Sequence, residues 1–449
     1  MAAREPNHRL HRLYRETGWN LRQLAQAVNR AGTERGTPLK YRQQSAHQWL
    51  GGHPPKEENQ PLLIEALSRK LGRTITYAEA GLPQPFCRPE SHLGTAEEII
   101  DLGSNDMLPG RRGVLGASLF SVALTVPNWA DVVGRMESVR SGVTPRIGMP
   151  EVRMVVAMTE RISELDDQFG GRYARPMAAA FLVNAVAPYL RADAVSTVRK
   201  AMMSAASDLC YLTGYMAVDE GFHGLAQRYY LKALELAGAS EDHLTYCTTL
   251  RGMSVQAVDL GHGRAALRLA DAASAAAPQA GPRMQAFLAG QQAHAAAQVG
   301  ERAAALDHLR VAEIAMDKAE SRERVFGSYD PSSLHYHTSR VRFELGDMRG
   351  AVEAMSQADT LRSAAYRRTR VNQRSLLAER QFAIGHLEAA CSTWNSALDD
   401  YSFVQSGRVD QRVRTMFGLI RPHLRNQAAK ALYERARTIT PASVQPRAV

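Results

Sequence analysis

The sequence predicts an all-α protein, a small N-terminal helical domain followed by an α-solenoid of paired helices. Three observations predict it. The 449-residue chain is too long for one hydrophobic core of ordinary size, so two or more domains are expected. Alanine, leucine, arginine and glutamine dominate while runs of valine, isoleucine and threonine are scarce, which favours helices over strands. Beyond Pro150 the helical pattern repeats, with breaks 40, 39, 46 and 39 residues apart.

The first helix is expected at His8–Thr17, with Leu10, Leu13 and Tyr14 on one face and Gly18 as its stop. Asn20 caps a second, Leu21–Arg30, whose Leu21, Leu24, Ala25 and Val28 follow helical spacing. Gly32, Gly36 and Pro38 then mark a loop. A third helix, Arg42–Leu50, ends at Gly51 and Gly52, and a fourth, Gln60–Leu71, buries Leu62, Leu63, Ala66, Leu67 and Leu71. These short helices must share one core, which sets a first domain at 1–82. Its surroundings are basic: residues 1–90 carry 14 Lys and Arg against 8 Asp and Glu, while the net charge of the whole chain is +10. Such a domain concentrates a polyanion such as DNA, or serves solubility alone.

The decapeptide Gln43, Gln44, Ser45, Ala46, His47, Gln48, Trp49, Leu50, Gly51, Gly52 is the most informative in the chain. As a helix it turns Ala46, Trp49 and Leu50 towards the core and leaves Gln43, Gln44, Ser45, His47 and Gln48 at or near the exposed side. A glutamine can pair bidentately with adenine in the major groove, and a serine can bond a base or a phosphate. The plain alternatives are a solvated helix face for Gln43–Gln48 and simple core packing for Trp49. Preceded by the supporting helix Leu21–Val28, this segment resembles the lambda-repressor-like helix-turn-helix family, the xenobiotic-response-element regulators. The resemblance implies that the second helix of the motif enters the major groove. It puts Gln43, Gln44, Ser45 and Gln48 at the contacting positions of phage repressors with a QQS motif, and Trp49 with Gly52 at the family's ending. The candidate DNA-binding residues are Arg22, Lys40, Arg42, Gln43, Gln44, Ser45, His47 and Gln48. The connection from Asn29 to Tyr41 is longer than the family's turn. It is either a wing with Arg30, Arg35 and Lys40 on phosphates or an inert insertion.

Residues 83–110, with Pro83, Pro85, Pro89, Gly94, Gly103, Pro109 and Gly110, have linker composition. Arg111 and Arg112 then precede an apolar stretch, Val114–Val126, in the manner of a twin-arginine export signal. Its internal position argues against export and its length against a membrane span, so a buried helix joining the domains is expected. Connecting and flanking helices are assigned to 111–203.

From Ser204 the chain repeats one pattern: Gly, Ala five residues on, an apolar or aromatic residue four further, and Ala three beyond that. The copies are Gly221, Ala226, Tyr230, Ala233; Gly261, Ala266, Ala270, Ala273; Gly300, Ala305, Leu309, Ala312; Gly346, Ala351, Met355, Ala358; and Gly385, Ala390, Trp394, Ala397. Glycine turns the chain between two antiparallel helices, and the alanines let the second helix approach its neighbours while the larger residue fills the groove. This resembles the tetratricopeptide repeat, with Gly214 at the small position of the first helix and Pro278 where the family often ends its second. The aromatic and leucine signature of the family's first helix is mostly missing. Repeats are expected over 204–401, capping helices over 402–437 and a flexible tail over 438–449.

First helices of such pairs line a concave surface. By repeat position the candidate ligand-binding residues are Tyr211, Tyr215, Arg251, His294, Tyr336, Arg340, Asn372 and Glu379. Asn372 suits a peptide backbone, Arg251 and Arg340 an acidic end, and the tyrosines an apolar side chain; packed or solvated residues are the plain alternative. The segment Ser321–Ser333 is read as a loop over the groove. His335 and His337 face different sides of a helix and suggest no metal. Cys87, Cys210, Cys247 and Cys391 are far apart and read as buried small hydrophobes.

An N-terminal helix-turn-helix followed by tetratricopeptide-like repeats resembles a recurrent actinobacterial arrangement, and the peptide-sensing regulators of Gram-positive bacteria share the layout. The resemblance implies that the repeats bind a signal or partner and help dimerisation. The expected protein is a cytoplasmic, sequence-specific transcription regulator, homodimeric on a double-stranded DNA operator. A peptide, small-molecule or protein effector binds its repeats, and it has no cofactor, metal or membrane partner. An enzyme is disfavoured, since no phosphate loop, dinucleotide fingerprint, nucleophile elbow or metal ligand set is found. The competing expectation is a protein-interaction scaffold without sequence-specific DNA binding.

Overall fold

The computed structural model describes residues 6–34, 38–83, 94–107, 146–278, 280–319 and 329–446. Among these residues the secondary structure is helical, apart from one isolated bridge between Arg146 and Asp193. Helices α1 (His8–Thr17), α2 (Leu21–Glu34), α3 (Gln43–Leu50) and α4 (Gln60–Leu71) share a core that includes Leu10, Leu13, Leu24, Val28, Trp49, Leu62, Leu63 and Leu67. Asn20 and Gln23 cap α2 reciprocally, each side-chain oxygen accepting from the other's backbone N–H at 2.9 Å.

The loop expected from Gly32 starts later, because α2 runs on to Glu34. Ala31 and Gly32 are buried there, and tertiary packing offsets glycine's weak helix propensity. The far end of the connection is held by Asn29, whose side chain donates to the Tyr41 carbonyl at 2.9 Å and accepts from the Tyr41 N–H at 2.8 Å. Arg35 lies outside the described residues, as do Cys87, Val114–Val126 and most of the Ser321–Ser333 segment.

The presumed linker contains a helix, α5 (Thr95–Met107). It buries Ile99 and Leu102 in the main core. Gly103 serves contact here rather than flexibility: a Cβ on it would stand 2.6 Å from the Val183 side chain and 3.2 Å from the Ala179 carbonyl. The flanking helices follow as α6 (Met149–Phe169) and α7 (Gly171–Phe181), the latter passing through a π-helical turn, Leu182–Val186, into α8 (Ala187–Arg191).

Five antiparallel pairs make the array: α9 (Ser196–Asp219) with α10 (His223–Ser240), α11 (His243–Asp259) with α12 (Gly263–Ala275), α13 (Pro282–Gln298) with α14 (Arg302–Asp317), α15 (Pro331–Glu344) with α16 (Met348–Leu361), and α17 (Arg367–Ala383) with α18 (Leu387–Tyr401). Each turn has the repeat glycine at positive φ, between 78° at Gly261 and 86° at Gly385. The same two bonds close each turn; in the first, Gly221 N–H donates to the Val218 carbonyl at 3.0 Å and Phe222 N–H to the Ala217 carbonyl at 2.8 Å. The second-helix pattern residues, from Ala226 to Ala397, are all buried. Serines add a second link, Ser207 Oγ donating to the Ala233 carbonyl and Ser254 Oγ to the Ala266 carbonyl, both at 2.7 Å.

Helices α19 (Gly407–Ile420) and α20 (Gln427–Ile439) pack on the last pair around Trp394, Met416, Phe417 and Leu432. The segment expected as a flexible tail packs back as far as it is described. Val444 is buried, and Gln445 Nε2 donates to the Arg437 and Thr440 carbonyls at 2.8 Å. The N-terminal domain meets the array where Arg268 donates to the Gly72 carbonyl at 3.0 Å.

Candidate functional site

Two surfaces carry the residues singled out above. On α3, Gln43, Gln44, His47 and Gln48 are exposed and Ser45 is half-buried, while Ala46, Trp49 and Leu50 face the core. The helix is gripped from behind by Trp49, which meets Tyr41 edge-to-face at 5.0 Å, and Tyr41 Oη in turn accepts from Asn59 Nδ2 at 3.0 Å. Ser45 Oγ accepts from the Arg42 N–H at 3.4 Å, so that hydroxyl also helps to start the helix. The far end closes at Gly52, with φ 88°. Arg22, Lys40 and Arg42 are exposed as well, Arg42 immediately before the first turn of α3. Among the described residues no carboxylate pairs with any of them, whereas Arg69 and Arg73 elsewhere in the domain hold ion pairs with Glu65, Glu34, Glu79 and Glu16.

The second surface is a cavity of about 680 Å³ inside the curve of the array. Tyr211, Tyr215, Arg251, His294, Tyr336 and Asn372 line it, as their repeat positions predict. Arg340 and Glu379 do not. Arg340 Nε donates to His294 Nε2 at 3.1 Å, and Glu379 pairs with Arg412 at 3.1 Å, so each is held by a protein partner. Tyr211 is buried, and loss of solvation pushes its hydroxyl up to about 12. Asn372 accepts from Arg412 at 3.3 Å.

The cavity is half-enclosed because the two ends of the array are tied together. Arg368, at the start of α17, reaches across to α6 and α9, where it meets Asp166 at 2.9 Å, Asp167 at 3.5 Å and Asp219 at 3.6 Å. Three carboxylates thus share one guanidinium. Burial, with the neighbouring carboxylates adding to it against the pull of Arg368, pushes Asp166 up to about 7. The strap between α18 and α19 completes the closure. Gln405 N–H donates to the Phe169 carbonyl at 2.7 Å, Ser406 Oγ to Asp219 at 2.8 Å, and Arg408 pairs with Asp259 at 2.9 Å.

Residues 10–83 match the SP15 N-terminal domain family. The match covers the four-helix domain that carries α3 and stops short of the array. Neither a helix-turn-helix nor a tetratricopeptide family model matches, and no curated protein matches the chain. Among the described residues no group of side chains is placed to hold a metal; His337 instead bonds the Tyr329 hydroxyl at 2.8 Å. Cys210, Cys247 and Cys391 are buried free thiols. No described helix is long and apolar enough to cross a membrane.

Sequence reasoning missed Phe287, Tyr329, His337, Arg368, Asp166 and Asp219, all of which line the cavity. Some of them lie outside the repeat register. For Asp219 the signal is a carboxylate among the apolar residues at the end of α9, a position where a buried charge needs a partner; nothing local indicates which one.

Proposed function

We propose that this chain is a cytoplasmic, sequence-specific DNA-binding transcription regulator of lambda-repressor-like type. Its tetratricopeptide-like array would mediate dimerisation and receive a peptide, small-molecule or protein signal, and it would carry no enzymatic activity. The observation that supports this reading most directly is the division of α3. Its apolar side is locked into the domain core, while its amides and one imidazole stand in solvent, and the same domain exposes three basic side chains that have no carboxylate partner among the described residues. Amides at the rim of a major-groove helix read base edges, and the flanking cations neutralise phosphates. A dimer presenting two such helices would read a two-fold operator.

Selection of genomic fragments by the full-length protein at physiological salt tests the reading. Enrichment of fragments sharing a two-fold sequence is the expected result. Retention without a common sequence, or none at all, removes the regulator and leaves an interaction scaffold in its place.

A further inference from the structure

We propose that the end of the cavity walled by Arg251, Phe287, His294, Tyr329 and His337 binds the anionic group of a small organic acid whose apolar body lies along the aromatic wall. The inference rests on reading the array as the signal-receiving part of the protein, and it names the chemical class of that signal.

Ion pairing is the first ground. At the closure each of four inner carboxylates reaches an arginine: Asp166, Asp167 and Asp219 share Arg368, and Asp259 pairs with Arg408. Arg362 is likewise paired, with Asp330 at 3.1 Å. Arg251 differs. Among the described residues no carboxylate lies within ion-pair distance of it, its Nε is buried without a hydrogen-bond partner, and its guanidinium lies 3.6 Å from the centre of the Phe287 ring. Arg251 is half-buried; a guanidinium partly stripped of water without a counter-ion is costly to the folded protein, and an entering anion supplies what is missing through charge-assisted bonds.

The neighbours add donors without adding negative charge. His294 and His337 are both deeply buried, and burial, then surrounding arginines that include Arg251 and Arg340, hold them well below the ordinary imidazole range. Both rings are therefore neutral. Since His294 Nε2 accepts from Arg340, the proton of that ring sits on Nδ1, which is a donor. The Tyr329 ring stacks near His337, with centroids 5.4 Å apart, and meets Phe287 edge-on at 5.6 Å. That gives an apolar wall next to a guanidinium that has no carboxylate partner among the described residues. A volume of about 680 Å³ suits a small molecule, and the Arg368 closure bounds one side of it.

The test uses the full-length protein and four probes with one aromatic body: 1-naphthoate, 1-naphthyl phosphate, 1-naphthylmethanol and 1-naphthylmethylammonium. Calorimetric titration should show one or both anions binding at least about tenfold more tightly than the alcohol and the ammonium, the size expected of a charge-assisted contact. The order of the two anions tells carboxylate from phosphate. In Arg251→Met the preference should vanish while the ligand-free unfolding midpoint stays level or rises, since an uncompensated cation has been removed. Arg251→Gln serves the same purpose if the methionine variant does not fold. Equal binding of the four probes, preference for the ammonium, no binding of any probe, or an anion preference that survives loss of Arg251 would each overturn the proposal. DNA retention measured on the same preparation separates the two claims. Anion selectivity without operator binding removes the regulator alone, and operator binding without anion selectivity removes the ligand class alone.

Discussion

Replacing Gly300 with alanine isolates the force that sets the repeat turns. Gly300 has φ 83°, and no atom lies within 4 Å of the place its Cβ would occupy. The substitution therefore meets no neighbour, and its whole cost is that of holding an L-residue in the left-handed region, about 1–2 kcal/mol. Gly300→Asn should recover much of the loss, because asparagine tolerates that conformation. Gly214 provides the contrast, since a Cβ there would stand 2.8 Å from the Tyr230 ring and 3.2 Å from the Ala226 carbonyl. Gly214→Ala should cost about 1–3 kcal/mol by forcing α9 and α10 apart, and asparagine there should be worse rather than better. Urea unfolding followed by far-ultraviolet circular dichroism reads both losses, and hydrogen exchange along α13 and α14 localises the first. If asparagine at 300 is no better than alanine, or alanine costs nothing, the turn is not held by its backbone conformation and the argument fails.

Arg368→Met strips the buried Asp166 and Asp219 and the half-buried Asp167 of their common cation and should destabilise the protein by about 3–5 kcal/mol; small-angle scattering should show a larger radius of gyration as α6 parts from α17, and an unchanged radius would mean that the strap alone closes the array. Burial pushes His223 down to about 4, against about 6.5 in the unfolded chain. The unfolded state therefore takes up a proton first, and the stability this ring contributes is complete above pH 6.5 and lost as pH falls towards 4. His223→Gln should flatten that limb of the unfolding midpoint against pH. Asp166 works in the opposite sense: with its folded value raised from 3.8 to about 7, its share of stability is complete below pH 3.8 and lost as pH rises through 7. Asp166→Asn should narrow the difference between midpoints measured at pH 6 and pH 8.

What the sequence made legible was local. The five glycine turns could be read because a positive φ is a property of one residue, and the buried alanines because a close approach between paired helices repeats at a fixed interval. The two faces of α3 followed from helical spacing alone. Contacts between distant segments were not legible. Gly103 looked like a breaker because nothing nearby in sequence shows that Val183 and Ala179 press against it. The helix α2 outran its expected end because burial of Ala31 decided the matter, not the propensity of Gly32. The closure could not be foreseen, since Arg368 and Asp166 are about 200 residues apart and neither belongs to the repeat signature. Arg340 and Glu379 show the limit of carrying a register over: the positions face inward in the pattern, but neither side chain lines the cavity, Arg340 bonding His294 and Glu379 pairing with Arg412.

The measurement that bears most directly on the regulator reading is the affinity of Gln44→Ala for a selected operator fragment and for random DNA of equal length, across a salt series. Gln44 is exposed, so its truncation leaves the domain standing. Loss of one bidentate base contact should weaken operator binding by about 1–3 kcal/mol, roughly 5- to 150-fold, with random DNA and the salt slope unaffected. An equal loss on both DNAs, or no loss on either, would contradict base reading by this helix.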